Sequence, residues 1–247
     1  MNSATPSSDA PGVFPNTRWS VVLAATQPNW PESAAALETI CRAYWHPLYA
    51  YVRRSGHPPH DAQDLTQEFF RRLLEKQWLQ DADREKGRLR TFLILALKHF
   101  LANEWRRAST QKRGGDHPHV PLDTALTESS LTADATLSPE QTFDRQWALT
   151  LLDLSLKKLQ AEFAAAGKAG DFDKLKSCLM AEHGAIDYSA TARQLGINSG
   201  AARVAVHRLR KRFRQLYREE IAQTLTDGAD LDGELRHLAA ALAFEGA

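Results

Sequence analysis

Apolar residues recur along this chain at intervals of three and four, the spacing of one helix face, through several long segments. The first runs from about Glu32 to Arg54, with Leu37, Ile40, Cys41, Tyr44, Leu48, Tyr51 and Val52 on one side. Pro47 lies inside it and predicts a kink or a split, because proline lacks the N–H that an interior helical position donates. Ser55-Gly56-His57-Pro58-Pro59 ends that element, and Asp61 is placed to cap the next. The second helix, about Asp61 to Lys76, gathers Ala62, Leu65, Phe69, Phe70, Leu73 and Leu74 on one face. Its opposite face carries Asp64, Glu68, Arg71 and Glu75. A third helix, about Arg88 to Ala108, places Leu89, Phe92, Leu93, Ala96, Phe100 and Leu101 in a buried stripe and ends in Trp105-Arg106-Arg107.

Between Ser109 and Leu137 the periodicity fails, and Lys112-Arg113-Gly114-Gly115 followed by Thr, Ser, Asp and Pro predicts a solvated, flexible linker between two domains. Ser138-Pro139-Glu140 restarts a helix, with serine as N-cap and proline at the first position, where a missing N–H costs nothing. That helix carries Phe143, Trp147, Leu151, Leu154 and Leu159, runs to about Phe163 and is broken by Gly167 to Asp171. A short helix from about Phe172 to His183 follows. Few Gly or Pro interrupt the periodic segments, so the fold class is all-α. Two helical domains are expected, over 17–108 and 138–225, between a disordered leader over 1–16 and a C-terminal extension over 226–247. Leu231, Leu235, Leu238 and Leu242 predict an amphipathic helix in that extension, packed on the second domain or docked on a regulator.

Within the second domain, Tyr188 to Leu195 reads as a short helix and Gly196-Ile197-Asn198 as a tight turn with glycine free to take positive φ. Ser199 is then expected to cap a longer helix, completing a helix-turn-helix. Ala192 allows close approach of the two helices, and Leu195 and Ile197 supply the apolar contact. On the longer helix Ala202, Val206, Leu209, Phe213 and Leu216 form one stripe. Arg203, His207, Arg210, Arg214 and Arg218 lie about 100° from it, widened by Arg208, Lys211 and Arg212. No acidic residue interrupts this run, so the helix repels itself unless phosphates neutralise it. Residues near the start of such a helix, Ser199, Ala201, Arg203 and His207, face base edges in the major groove.

Composition excludes some classes. At 247 residues, 43% hydrophobic and 25% charged, the chain matches neither a collagen, a disordered polymer nor a disulfide scaffold. Its net charge of +1 averages the basic helix with an acidic stretch from Glu219 to Glu234. Cys41 and Cys178 are isolated, so neither a disulfide framework nor a zinc site is expected, and no cofactor is implied. The start lacks the apolar core of a signal peptide, and the longest apolar run, Phe92 to Leu97, is too short to span a bilayer. A cytoplasmic protein without a membrane partner is expected. His57-Pro-Pro-His60-Asp61 offers an adjacent His and Asp of the kind metal-dependent phosphohydrolases use, but two prolines and a helix start account for it. No nucleophile motif or phosphate loop occurs, so the chain is read as a non-enzyme.

The first domain resembles a known family. Asp61-Ala62-Gln63-Asp64-Leu65-Thr66-Gln67-Glu68-Phe69-Phe70, then Arg90-Thr91-Phe92-Leu93, then Trp105-Arg106-Arg107, resembles region 2 of bacterial RNA polymerase sigma factors of the extracytoplasmic-function class. Tyr188 to Arg212 resembles their region 4. The likeness spans roughly Thr17 to Leu225, with the two halves in family order. It implies docking on the β′ clamp helices of core RNA polymerase through Asp64, Gln67 and Glu68, with the β flap as a second polymerase contact. It also implies melting of the minus-10 promoter element, with capture of a flipped base in the Gln77 to Gly87 segment. Lys98, His99, Asn103, Arg106 and Arg107 are the candidates for holding the melted strand. Ser199, Ala201, Arg203, His207, Arg208, Arg210, Lys211 and Arg214 would bind the minus-35 element. An anti-sigma factor or another regulator is a further partner of the family. The common pattern has Asn where His99 stands and Asp where Asn103 stands, and often a polar and a basic residue at Val204 and Ala205. Trp105, beside two arginines, fits either base stacking or core closure. The rival reading is a helix-turn-helix regulator that binds duplex DNA without polymerase.

Overall fold

A computed structural model describes residues 33–75, 89–110, 124–133, 136–182, 184–225 and 230–243. Among them are nine α-helices and no strand. The helices are α1 Ser33–Arg54, α2 Pro59–Glu75, α3 Leu89–Thr110, α4 Ala125–Ala133, α5 Pro139–Ala165, α6 Ala169–Leu175, α7 Tyr188–Leu195, α8 Ser199–Ala222 and α9 Leu231–Ala243, with a 3-10 turn at Lys176–Cys178 after α6. The leader and the Gln77 to Gly87 segment lie outside the described residues.

Several boundaries differ from the sequence reading for local reasons. Helix α1 continues through Pro47. Helix α2 starts at Pro59, so proline occupies the first helical position and Asp61 sits inside the first turn, where its charge meets the positive end of the helix. The start of α5 is as expected: the Ser138 hydroxyl accepts from the Gln141 N–H at 3.2 Å while the Gln141 side chain accepts from the Ser138 N–H at 2.9 Å. The helix expected over Phe172 to His183 instead begins at Ala169 and gives way to the 3-10 turn at Lys176.

The linker is the larger correction. Of the stretch 109–137, the described part contains α4, which lies against α1. Arg53 donates to both carboxylate oxygens of Glu128, at 2.6 and 2.9 Å, and the Tyr49 hydroxyl donates to the same group. Arg54 donates to the Leu131 carbonyl at 2.9 Å, and Thr127 and Leu131 are buried. This attachment is mainly polar, and a nine-residue helix gives little apolar periodicity to read.

Two clusters of buried side chains form the interior. The larger combines Tyr44, Leu48, Phe69, Leu93 and Phe100 of α1 to α3 with Phe143, Trp147, Ala148 and Leu151 of α5, Ile221 at the end of α8, and Leu238 of α9. The smaller joins Leu159 of α5 to Phe172, Leu175, Val206, Leu209 and Leu216. Helices α5 and α8 therefore pass from one cluster into the other. At 27 residues, α5 is about 40 Å long, enough to serve both. The stripe on α9 packs through Leu231, Leu235, Leu238 and Leu242.

Where α3, α5 and α9 meet, the buried guanidinium of Arg90 pairs with Asp144 of α5 and, at 3.0 Å, with Glu234 of α9. Glu234 is 0% exposed. His237 Nε2 lies 2.8 Å from Asp144, and the Arg90 guanidinium sits over the Trp147 ring, 5.4 Å from its centroid.

Candidate nucleic-acid interface

The helix-turn-helix is built by short-range capping. The Asp187 carboxylate accepts from the Ser189 and Ala190 N–H groups at 2.9 Å each and opens α7. These bonds, Ala190 first, hold its carboxyl below the usual aspartate value. Gly196 closes α7 with φ of 70°, the left-handed conformation that costs glycine least. The cap of α8 is Asn198, whose side chain accepts from the Ala201 N–H at 2.8 Å, so the expected cap Ser199 is instead the first helical residue. Ala192 and Ala202 are buried where the two helices cross. Ile197 is 41% exposed and does not seal that crossing; it lines an open cavity of about 330 Å³ with Phe163, Leu195 and Leu209.

Ser199, Ala201, Arg203, His207, Arg208, Lys211 and Arg214 are all exposed along α8. Arg210 is not with them. Its Nε donates to the Cys178 carbonyl at 2.8 Å and its Nη2 to the Ala181 carbonyl, so it staples the turn after α6 to α8. Nor is the basic run uncompensated. Arg212 is bound by Glu162 of α5 and Glu219, and Arg218 meets Asp232 of α9 at 3.0 Å. Carboxylates supplied by the fold replace some of the phosphates that the sequence reading required. Arg203, Arg208, Lys211 and Arg214 form no ion pair among the described residues. Arg203 instead lies over the ring of Tyr188, 4.9 Å from its centroid, a partner that the sequence reading missed because the two stand on different helices.

On α3, His99, Asn103, Arg106 and Arg107 are exposed on its C-terminal half. Arg106 donates to the Asn103 side chain at 3.2 Å and Arg107 to Glu104 at 3.1 Å. Trp105, open between two readings in the sequence, is 75% exposed and closes no core. Lys98 points to α5, where Glu140 meets it at 2.6 Å and raises its pKa.

On α2, Asp64, Gln67 and Glu68 are half-buried rather than fully open. His60 Nδ1 lies 3.4 Å from Asp64. Glu68 receives Arg71 and Arg72, each at 2.6 Å, and these bonds, Arg71 first, hold its carboxyl down at about 2. Arg72 also donates to Glu104 at 2.7 Å, linking α2 to α3. No group of His, Cys, Asp or Glu able to hold a metal occurs among the described residues, and Cys41 and Cys178 are free thiols.

Helices α1, α2 and α3 thus pack Tyr44, Phe69 and Phe100 inward while α3 offers His99, Asn103, Trp105 and Arg106 outward. Residues 40–111 match the family model of sigma-70 region 2. Over that stretch the chain is similar to sigma-70 region 2. No curated protein and no solved structure matched the chain. No helix among the described residues is long and apolar enough to cross a membrane.

Proposed function

We propose that the chain is a sigma factor of the extracytoplasmic-function class, acting in the cytoplasm, whose two modules recognise two unlike promoter elements on core RNA polymerase. What carries the reading is a conjunction: a region 2 domain over 40–111 and, further along the same chain, a helix-turn-helix whose second helix exposes Arg203, His207, Arg208, Lys211 and Arg214. Residues 17–108 grip the polymerase β′ clamp helices through Asp64, Gln67 and the rim of Glu68, and open the minus-10 element along His99, Asn103, Trp105, Arg106 and Arg107. Residues 138–225 lay α8 in the major groove of the minus-35 element and meet the β flap. Lys98 and Arg210 are left out of the DNA-binding set, because a carboxylate and two carbonyls occupy them. An anti-sigma factor remains a partner of this class, and no chemistry of the chain's own is required.

In vitro transcription tests the reading. Purified chain added to bacterial core RNA polymerase should start RNA at defined positions on promoter templates that core alone ignores. Asp64→Arg should weaken core association, whereas Arg203→Ala should leave core association intact and weaken promoter binding by about 10-fold. A chain that binds duplex DNA but neither joins core nor directs start sites would instead be a free-standing helix-turn-helix regulator.

A further inference from the structure

Arg203 stands one turn into α8, exposed, with no carboxylate against it among the described residues, and its guanidinium carbon lies 4.9 Å from the centroid of the Tyr188 ring. The ring itself is fixed. Tyr188 is the first residue of α7, the Asp187 cap anchors that turn through Ser189 and Ala190, and the side chain packs half-buried against the core that holds Val206 and Leu209. Its neighbours Arg208, Lys211 and Arg214 have no aromatic face to rest on among the described residues. An unsupported arginine spreads over many rotamers and must give them up when it binds. A guanidinium stacked on a ring keeps its planar N–H edges free.

We propose that Tyr188 is a positioning residue for base reading: its ring holds the Arg203 guanidinium in place, so that a pre-formed pair of N–H donors meets the major-groove edge of a guanine. Guanine is the base implied because its O6 and N7 are two acceptors side by side, the geometry a guanidinium fork matches. The inference rests on the DNA-reading role given to α8 above. A purely structural tyrosine would serve the core equally well as another apolar residue of similar bulk, and that difference is measurable.

The probe is a pool of duplexes randomised over one helical turn, selected by the full chain, alone and bound to core RNA polymerase. Wild-type protein should enrich a guanine whose preference disappears in Arg203→Ala and in Arg203→Lys, which keeps the charge but loses the fork. Tyr188→Leu should reduce the preference for that same guanine about 2- to 5-fold, the worth of a cation–π contact at an exposed site, while preferences at other positions and the salt-dependent affinity for random duplex stay unchanged. Tyr188→Phe and Tyr188→Trp keep a ring and should retain the preference, so the test survives a leucine variant that folds poorly. The proposal is overturned if Tyr188→Leu reads the guanine as well as wild type, if it blurs every position alike, or if Phe and Trp lose the preference too. Should the wild-type chain enrich no sequence in either form, the DNA-reading role of α8 fails first, and this inference with it.

Discussion

Glu68 is gripped by two arginines of its own helix, one of which, Arg72, also reaches Glu104 on α3. A charge reversal there would set a third cation among two guanidiniums and displace the Arg72 side chain that reaches α3, so a loss of polymerase binding in Glu68→Lys would not isolate the docking surface. Asp64, half-buried beside the exposed His60, is the sounder probe, since the two arginines lean on Glu68. The pairing also has a pH signature. The Glu68 carboxyl is held at about 2, against an ordinary 4.5, so its contribution to stability is complete above about 4.5 and is lost as pH falls toward 2. Glu68→Gln should therefore cost about 1 kcal/mol near neutral pH, and its deficit relative to wild type should close across that acid window in urea melts. A deficit of constant size down to the lowest pH would show that the arginines do not depend on the carboxylate charge. Arg210 carries the complementary lesson. In the sequence it is one more cation on a basic face, while in the fold its hydrogens go to the Cys178 and Ala181 carbonyls. Sequence records side-chain charges, but backbone acceptors become visible only once a neighbouring turn is placed.

At the scale of elements, the helix-turn-helix was the most readable part because its devices are local. A cap acts over three residues and a left-handed glycine over one, so Gly196 and a helix start near Ser199 announce themselves along the chain, while the Asp187 cap emerges only in the fold. The shift of the cap from Ser199 to Asn198 is a one-residue ambiguity between two good capping side chains. Helix α4 was not readable, since its partners Tyr49, Arg53 and Arg54 lie far back in the chain and its hold on α1 is by hydrogen bonds that leave no periodic trace. The turn supplies a direct test. A Cβ on Gly196 would meet nothing within 4 Å, so Gly196→Ala pays only the left-handed backbone penalty, about 1 to 2 kcal/mol. Gly196→Asn should cost less, because asparagine tolerates that conformation. Asn198→Ala should cost about 1 kcal/mol through the lost cap on Ala201. Denaturant midpoints would check all three, and equal losses for Ala and Asn at position 196 would contradict the backbone argument.

The whole molecule departs most from what periodicity alone suggests. Apart from α4, the helix faces were legible, yet which faces meet depends on tertiary packing, and here the two halves of the chain share one interior. Trp147 of α5 stacks on Tyr44 of α1, with ring centroids 6.3 Å apart, and Leu238 of α9 closes the same cluster. Arg90 fastens this junction: Asp144 and Glu234 reach it from α5 and α9, and removing the cation would take from both carboxylates, Glu234 fully buried, the countercharge they share. Arg90→Met should therefore destabilise by about 3 to 5 kcal/mol, the usual cost of breaking a buried pair from one side. Combining it with Glu234→Leu and Asp144→Leu should recover part of that loss, since the two carboxylates that Arg90 paired with are then removed with it. Because α5 and α8 run through both clusters, the halves should also melt together. Tryptophan fluorescence, to which the buried Trp45 and Trp147 contribute, and far-ultraviolet circular dichroism should trace one coincident transition. A fragment ending before Pro139 should fail to fold cooperatively, having lost Phe143, Trp147, Leu151, Ile221 and Leu238 from its core. If that fragment instead melts as sharply as the full chain, the first four helices form a self-sufficient domain, and α5 is an attachment to it rather than a part of its interior.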